Sequence, residues 1–363
     1  RPPSPDDRYQ SEEYLGDIRT LRADLNRLGA FESSKLYYAY KLATNVAIML
    51  AGAAVVRAAT GPLGIALGAF LIALFWQQCG WLAHDFLHHQ VFSNRFYNNL
   101  MGLLVGNLFQ GYSTSWWKNK HNHHHAVPNT VEVTGGGDPD IHTMPLLLWS
   151  EKLIEGEDLD KLPRFLVANQ WFFYWPILGV ARVSWLIQSA LYMGEPTHAF
   201  VGGNAWRGVE LLGLLSHHIA VIWLASQCYS AVGAALFVVL AEVWGGLLIG
   251  VVFTVGHNAM PVLSEEEVKS IDFVRLQLAT TRDVTPSLFN DWFTGGLGYQ
   301  VTHHLFPSLP RHSLPRATKM VQAFCDKHQI KYSCEGLVEG NSSVCRLLHT
   351  IAASAGAPRP KLA

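Results

Sequence analysis

The amino-acid sequence predicts an all-α integral membrane protein, with four transmembrane helices in two hairpins, further helices at the membrane interface and a histidine-rich cap. Hydrophobic residues make up 49% of the 363 residues and charged residues only 15%, against about 25% charged residues in typical soluble domains. The hydrophobic residues are grouped in runs of membrane-spanning length, and many histidines lie beside the ends of these runs. The formal net charge of -1, without a basic block, argues against nucleic acid as a partner.

Four apolar runs supply the predicted transmembrane helices, because each approaches the ~20 residues needed to cross the hydrocarbon core. The runs cover residues of about 42–59, 63–82, 209–228 and 231–256. A short break at Gly61 and Pro62 separates the first two runs, and the uncharged segment "SQCYS" separates the last two. Connections this short make each pair of runs an antiparallel helical hairpin.

The lysine and arginine residues predict the orientation, since most of them lie in the polar segments rather than in the hairpin turns. The positive-inside rule places both termini and the segment 83–163 in the cytosol. Residues 165–193 are also apolar, but they contain Pro176 and Arg182, and an arginine in the middle of a membrane is costly. We expect this segment to lie in the interface or to re-enter, because a full crossing would put histidine clusters on opposite sides.

Three further segments complete the organisation. Residues 1–13 are polar and proline-rich, which is typical of a linker. Residues 14–30 carry apolar residues at helical spacing and predict an amphipathic helix that docks on the protein or lies on the membrane surface. We expect residues 14–340 to form one membrane domain and residues 341–363 to be a C-terminal tail, whose ending "IAASAGAPRPKLA" is typical of disorder.

The histidines are concentrated in the segments "HDFLHH", "HNHHH" and "QVTHH". On a helix, residues three or four positions apart share a face, so His84 and His88 can point at one ligand. The triplet His121, His124 and His125 repeats this spacing, as does the third segment, and His257 follows the fourth apolar run. Imidazole suits iron, zinc, copper and nickel. A place on a polar interfacial helix would account for any single histidine, but three clusters with matched spacing indicate a metal centre. Because the three clusters provide more nitrogen ligands than one ion can use, they favour two metal ions.

The residues beside these clusters are candidates for orienting the imidazole rings by hydrogen bonds. Carboxylates are few: Asp85 lies within the first cluster, and two others lie in "GGGDPD". The predicted supporting residues are Asp85, His89, Asn122, His123 and Asn258.

The pattern HxxxH, HxxHH and QxxHH, together with two helical hairpins, resembles the membrane fatty-acid desaturase family. A glutamine opening the third box resembles the front-end desaturases, which act between an existing double bond and the carboxyl end. The segments "WWKNKHNHHHAVPN", "GDPDIHTMP" and "NDWFTGGLGYQVTHHLFPSLPRH" are similar to that subgroup, and the resemblance covers residues 15–334. The third box commonly reads QIEHH in that subgroup, whereas Val301 and Thr302 stand at its middle positions here.

The resemblance implies a cytosolic di-iron cap with O2 as co-substrate. The ligands it implies are His84, His88, His121, His124, His125, His257, Gln300, His303 and His304. It also implies electrons from cytochrome b5 and its NADH-dependent reductase. Haem is expected only on that cytochrome, either as a separate partner or as a domain before the linker, and the endoplasmic reticulum membrane is the expected location.

The activity implied by the resemblance is insertion of a cis double bond into a polyunsaturated acyl chain, of the delta-5 or delta-6 type, carried by CoA or by a phospholipid. A sphingolipid long-chain-base desaturase, an acyl hydroxylase of the same di-iron type and, more distantly, a membrane metal transporter are the alternatives. Candidate residues for binding the substrate are Trp117, Lys120, His217, His218 and Trp244. For His217 and His218, midway along the third run, a hydrogen-bonded structural role is preferred, and lining the substrate tunnel is the alternative.

Overall fold

A computed structural model of the protein describes Tyr9 and residues 11–133, 136–154 and 159–355, and it confirms the predicted all-α membrane architecture. Four helices are long and apolar enough to cross a membrane: α2 (Lys35–Ala58), α3 (Pro62–Leu87), α9 (Asn204–Ala225) and α10 (Ala231–His257). They coincide with the four predicted runs. α3 continues five residues beyond the predicted end at residue 82, which carries the first histidine cluster into the helix.

α3 forms the centre of the bundle, where it packs against both α2 and α10. Pro62 occupies its first turn, a position where the missing backbone N–H of proline costs nothing. Close approach of α2 and α3 depends on Gly68, since a Cβ atom there would lie 2.5 Å from Val56. The two helices therefore diverge little over the length of the hairpin.

The remaining elements lie around the ends of this bundle. The helices are α1 (Glu12–Arg27), α4 (Arg95–Gly102), a π-helix (Leu103–Gln110), α5 (Thr114–Ala126), α6 (Lys161–Ala168), α7 (Gln170–Gly179), α8 (Ala181–Gly194), α11 (Glu265–Lys269), α12 (Phe273–Thr280), α13 (Leu288–Phe293), α14 (Gln300–Leu305), α15 (Leu314–His328) and α16 (Leu337–Ala355). Short 3-10 turns are Glu151–Ile154, Leu297–Tyr299 and Arg311–Ser313. Two parallel two-residue strands, β1 (Asp283–Val284) and β2 (Cys334–Glu335), connect the segments before α13 and α16.

The apolar segment predicted to lie in the interface or to re-enter is broken into two helices, α7 and α8, which are bent by 67°. Pro176 lies within α7. Arg182 is buried beside α10, where it forms an ion pair with Glu242 at 3.0 Å. Pairing of this kind lowers the cost of a buried arginine. A bent pair is compatible with a re-entrant course or with one broken span, so the predicted course remains a prediction.

The prediction of a C-terminal tail from residue 341 is wrong for its first part, because α16 extends through residues 337–355. Val344, Leu348 and Ile351 recur at helical spacing and are buried, and α16 packs against α6, α7 and α10. The small residues near the end of the sequence obscured this stripe. The predicted disorder of residues 356–363 concerns a segment outside the described residues.

The amphipathic helix α1 docks on the protein, one of the two predicted options. It begins at Glu12, inside the predicted linker, because Ser11 caps it by accepting a hydrogen bond from the Tyr14 N–H. The buried Tyr14 hydroxyl donates to Asp272 at 3.1 Å, and α1 packs along α15. This contact attaches the N-terminal helix to the segment that follows the third histidine cluster.

Candidate metal centre

The first histidine pair closes the bundle helix α3. His84 lies in its last turn and His88 is its C-cap residue, so their rings lie 4.5 Å apart between centroids. His257 is the last residue of α10. Because α3 and α10 end at the same level, the histidines of both helices meet at one end of the bundle.

The second cluster lies on α5, whose start is anchored to α9 by the buried carboxylate of Glu210. That carboxylate accepts hydrogen bonds from the hydroxyl groups of Ser113, Thr114 and Ser115 and from the Ser115 N–H. A carboxylate also complements the positive end of the helix dipole. This anchor orients α5, so that His121, His124 and His125 are buried on its inner face.

The third cluster lies on α14, which begins after two consecutive glycines in the left-handed conformation. Gly295 has φ +60°, and a Cβ atom there would lie 2.3 Å from Trp81 of α3. The middle residues of the cluster face away from the other histidines: the Val301 N–H donates to Asp283 at 2.8 Å, and the Thr302 hydroxyl pairs with Thr318 at 2.7 Å. A carboxylate at position 302 would therefore need a different environment in this buried site.

The histidines form two groups according to the distances between their ring nitrogens. The five-histidine group has ligand atoms that all lie within 4.8 Å of one another. Its members are His84, His88, His121, His125 and His303. His125 is central, since its Nε2 lies 3.1 Å from His121 Nε2 and 3.1 Å from His303 Nε2.

The three-histidine group consists of His124, His257 and His304. Each ring has a partner for its Nδ1 atom: the Asp138 carboxylate at 2.9 Å from His124, the Thr280 carbonyl at 3.2 Å from His257, and the Gln277 side-chain oxygen at 2.8 Å from His304. The Gln300 side-chain nitrogen lies 2.8 Å from His257 Nε2. The two groups adjoin, since the rings of His125 and His304 stack with centroids 4.1 Å apart.

The donor atoms of both groups fit metal ions. When both rings are neutral and Nδ1 of His124 and His257 donates to oxygen, both Nε2 atoms carry lone pairs, and they lie 3.2 Å apart. Two facing lone pairs repel, whereas two imidazole nitrogens bound cis to one metal ion at ~2.1 Å lie about 3 Å apart. Within the part of the chain that the structure describes, Nε2 of His84, His88 and His304 is buried without a hydrogen-bond partner, which is equally expected of a ligand atom.

Burial also holds these rings in the protonation state that metals require. It lowers the pKa of His121, His125 and His304 well below the usual value, and lowers that of His303 to about 3. For His124 burial acts in the same direction, but Asp138 and Asp140 outweigh it and raise the pKa. Neutral imidazole is the ligand form, so the folded protein presents nitrogen lone pairs near neutral pH.

The predicted supporting residues occupy different places. Asp85 forms a buried ion pair with Arg311 at 2.8 Å and lies 3.5 Å from His84 Nδ1. His89 contacts Asn99 at 3.0 Å and Lys118 at 2.8 Å, and His123 contacts the Gly136 carbonyl at 3.1 Å. Asn122 is exposed and does not meet the cluster, and the described contacts join Asn258 to Arg282 through its carbonyl rather than to a histidine.

Of the candidates for substrate binding, Trp117 and Lys120 both lie on α5 but make different contacts. Trp117 stacks on His121 with centroids 4.2 Å apart and, with His84, lines an apolar cavity. Lys120 instead pairs with Asp140 at 3.1 Å.

The three candidates within the bundle lie elsewhere. Trp244 is 39% exposed on α10, outside the described lining of that cavity, so its role in binding substrate stays a prediction. His217 is buried against Arg182 and the Leu108 carbonyl, which favours the structural role, and His218 is half-buried beside it.

Sequence reasoning missed the residues that hold the three-histidine group. Gln277 and Thr280 lie on α12, which has no histidine, and no signal in the sequence marked them. Asp138 was visible as one of few carboxylates near a cluster. Asn129 connects the segment that carries Asp138 to the end of α10. Its N–H donates to Asp138 at 2.7 Å, and its side chain donates to the His257 carbonyl at 2.9 Å.

Comparison with known proteins gives matches along most of the chain. The family model "Fatty acid desaturase" matches residues 60–336. An acyl-lipid (9-3)-desaturase of the moss Physcomitrium patens is 39% identical over 346 residues, which cover 94% of this chain and 64% of the moss protein. This chain therefore spans less than two thirds of that relative.

Two other relatives are of similar kind. A Delta(8)-fatty-acid desaturase of Euglena gracilis is 32% identical over 337 residues, covering 87% of this chain and 74% of that protein. A Delta(6)-fatty-acid desaturase of Caenorhabditis elegans is 32% identical over 345 residues, covering 91% and 74%. The family match includes α3, the second hairpin and all three histidine clusters, and the chain belongs to the fatty acid desaturase family.

Proposed function

We propose that this protein is an O2-dependent front-end acyl desaturase. It inserts a cis double bond between an existing double bond and the carboxyl end of a polyunsaturated acyl chain. The observation that carries the proposal is the pair of adjoining histidine groups at one end of the membrane bundle, in a chain of the fatty acid desaturase family. The relatives are named as desaturases of delta-5, delta-6, delta-8 and (9-3) type, and we retain delta-5 or delta-6 as the expected position.

Two iron ions are the proposed cofactors, one in each histidine group. The five-histidine group would hold one ion, and the three-histidine group together with Gln300 would hold the other. Bound iron supplies the oxidation by O2 that removes two hydrogens from adjacent, unactivated methylenes. Two electrons from the acyl chain and two from a donor reduce one O2 to water, and the donor proposed is cytochrome b5 with its NADH-dependent reductase.

The protein's own residues bind and orient the chain. The apolar cavity beside His84 has a volume of only ≈ 10 Å³, so the side chains that line it must move apart to admit methylenes. Its apolar walls then exclude water from the reacting carbons. Each buried CH2 contributes ~0.8 kcal/mol, so a long chain binds well but slides easily. Its position along the cavity must therefore be fixed by specific contacts, at the head group or within the cavity.

The proposed location is the endoplasmic reticulum membrane, with both termini and the metal centre on the cytosolic side. Lysine and arginine residues outside the hairpin turns support that orientation. A transporter would hold its ligands near the middle of the membrane, whereas both histidine groups here lie at the ends of α3 and α10.

The test is the acyl profile of a host that makes no polyunsaturated acids. The host expresses the chain fused to a cytochrome b5 domain and is fed linoleic, α-linolenic or longer polyunsaturated acids in turn. A new double bond on the carboxyl side supports the proposal, and its position gives the regiochemistry. The His304→Ala variant serves as the inactive control. Hydroxylated or long-chain-base products, or changed cellular metal uptake without acyl product, would contradict the proposal in favour of an alternative.

A further inference from the structure

The apolar cavity beside the five-histidine group contains one polar side chain besides that of His84 that needs an explanation. Its walls are formed mainly by large apolar or aromatic residues: Trp81, Tyr112, Trp117, Trp185, Ile249 and Phe253. Gln110 also lines this cavity. It is 1% exposed, and neither its side-chain nitrogen nor its side-chain oxygen has a hydrogen-bond partner among the described residues.

An unpaired buried amide is costly, at roughly 1–3 kcal/mol in proteins. The side-chain amides of two other buried glutamines have hydrogen-bond partners, as is usual for buried polar groups. The Gln77 amide donates to the Leu248 carbonyl at 2.9 Å, and the Gln78 amide donates to Gln77 at 3.1 Å. Both lie on α3, one or two turns before His84. The amide of Gln110 differs because it faces the cavity instead of another part of the chain.

Contacts on both sides of Gln110 fix its backbone, so the fold itself directs the side-chain amide toward the cavity. Gln110 is the last residue of the π-helix, and Gly111 follows in the left-handed conformation with φ +92°. A Cβ atom at position 111 would lie 2.6 Å from the His217 ring. Arg182, paired with Glu242, donates to the Gln110 carbonyl. The buried Arg182–Glu242–His217 network thus fixes the point from which the amide extends.

The position along α3 relates Gln110 to the reacting carbons. A Cβ atom at Gly80 would lie 3.9 Å from Cγ of Gln110, and Gly80 precedes His84 by one helical turn, a rise of about 5 Å. The head group of an acyl chain remains at the cytosolic end, so the methyl end points deeper into the bundle. A front-end enzyme needs the existing double bond on the methyl side of the new one, which is the side of the cavity where Gln110 lies.

We propose that Gln110 is a specificity-determining residue that recognises the existing double bond of the substrate. This inference rests on the proposed function. The amide N–H donates to the π-electrons of a cis double bond, a weak hydrogen bond that saturated methylenes cannot accept. The contact fixes the position of an otherwise sliding chain and favours unsaturated substrates.

The experiment compares Gln110→Met with the wild-type chain, each fused to the same cytochrome b5 domain. Methionine keeps the length of the side chain and removes both polar atoms. Two acyl chains of equal length compete, one with a cis double bond on the methyl side of the reacting carbons and one saturated there. We expect the preference for the unsaturated chain to fall by about fivefold, the factor to which ~1 kcal/mol corresponds. Ile249→Val, which alters the cavity wall without changing its polarity, should alter conversion of both chains alike.

If Gln110→Met is inactive, a thermal-shift measurement tests its preference between the two acyl chains without requiring activity. Purified wild-type and Gln110→Met proteins are heated with each of the two chains, and the wild-type protein should be stabilised more by the unsaturated chain. An unchanged preference in both assays would overturn the role of Gln110 while front-end desaturation by the wild type stands. Absence of any acyl product from the wild type would instead refute the proposed function.

Discussion

The two histidine groups are held in place by different means. In the three-histidine group, each ring donates its Nδ1–H to an oxygen of another segment, which belongs to Asp138, Thr280 or Gln277. In the five-histidine group, the described contacts place no oxygen acceptor nearer than the Asp85 carboxylate, 3.5 Å from His84. Those rings pack instead against one another and against Trp117. One group is oriented by hydrogen bonds and the other by helix geometry and aromatic packing.

The difference follows from where the ligands lie in the chain. Four of the five rings in the larger group form two pairs at helical spacing, one at the end of α3 and one on α5, so the backbone alone brings the rings of each pair together. The three rings of the smaller group come from α5, α10 and α14, each supplying one. The relative orientation of these rings depends on tertiary contacts, and the hydrogen bonds that their Nδ1 atoms make fix the direction of each ring.

The largest effect is expected for His124→Ala, which removes a ligand of the three-histidine group. Product formation should fall below detection, and the purified protein should hold at least one iron ion fewer per chain. The adjacent His123→Ala is the matched control, since His123 is half-buried and contacts only the Gly136 carbonyl among the described partners. Normal iron content in His124→Ala, measured by elemental analysis, would refute the assignment of this ligand.

Next in size is the effect of Asp85→Asn on stability. Asp85 and Arg311 form a buried ion pair that joins the end of α3 to the segment before α15. Removing one partner of a buried pair costs about 3–5 kcal/mol, because the other charge stays buried without compensation. Thermal denaturation in detergent should show a clearly lowered midpoint.

The control for Asp85→Asn is Asp24→Asn, which breaks the exposed pair with Arg27. Exposed pairs contribute about 0–1 kcal/mol, so its midpoint should stay close to that of the wild type. Equal midpoints for the two variants would mean that the Asp85–Arg311 pair does not hold the cap together.

Asp138→Asn tests the hydrogen bonds that orient the three-histidine group. Loss of a carboxylate that orients a metal-bound histidine typically costs 10–100-fold in metal affinity or activity. We expect that loss in iron retention against a chelator and in product formation. Asp140→Asn is the matched control for charge, because the Asp140 carboxylate also lies 3.5 Å from His124 Nδ1 but is partly exposed and pairs with Lys120. If both variants behaved alike, the negative charge near His124 would matter more than the direct hydrogen bond.

The sequence predicted the parts of the site that depend on local spacing. The four spans followed from apolar runs, and the ligand-bearing faces of α3, α5 and α14 followed from spacings of three and four residues. The sequence did not predict Gln277 or Asp138 as ring partners, because they lie 27 and 14 positions from the histidines they contact. The predicted supporting residue Asn122 is exposed for a related reason: nearness in sequence to the histidines does not determine which face of α5 is buried.

The smallest effect is expected for Trp117→Phe, which tests whether aromatic packing replaces hydrogen bonds in the five-histidine group. The Trp117 ring stacks on His121 at 4.2 Å and lies 5.7 Å and 6.0 Å from the rings of His84 and His88. Phenylalanine keeps an aromatic face but loses contact area. An aromatic pair contributes about 0.5–1.5 kcal/mol beyond burial, so activity should fall by about threefold to tenfold, with Trp244→Phe on the exposed face of α10 unchanged. A loss as large as that of Asp138→Asn would mean that Trp117 orients its group as strongly as a carboxylate does.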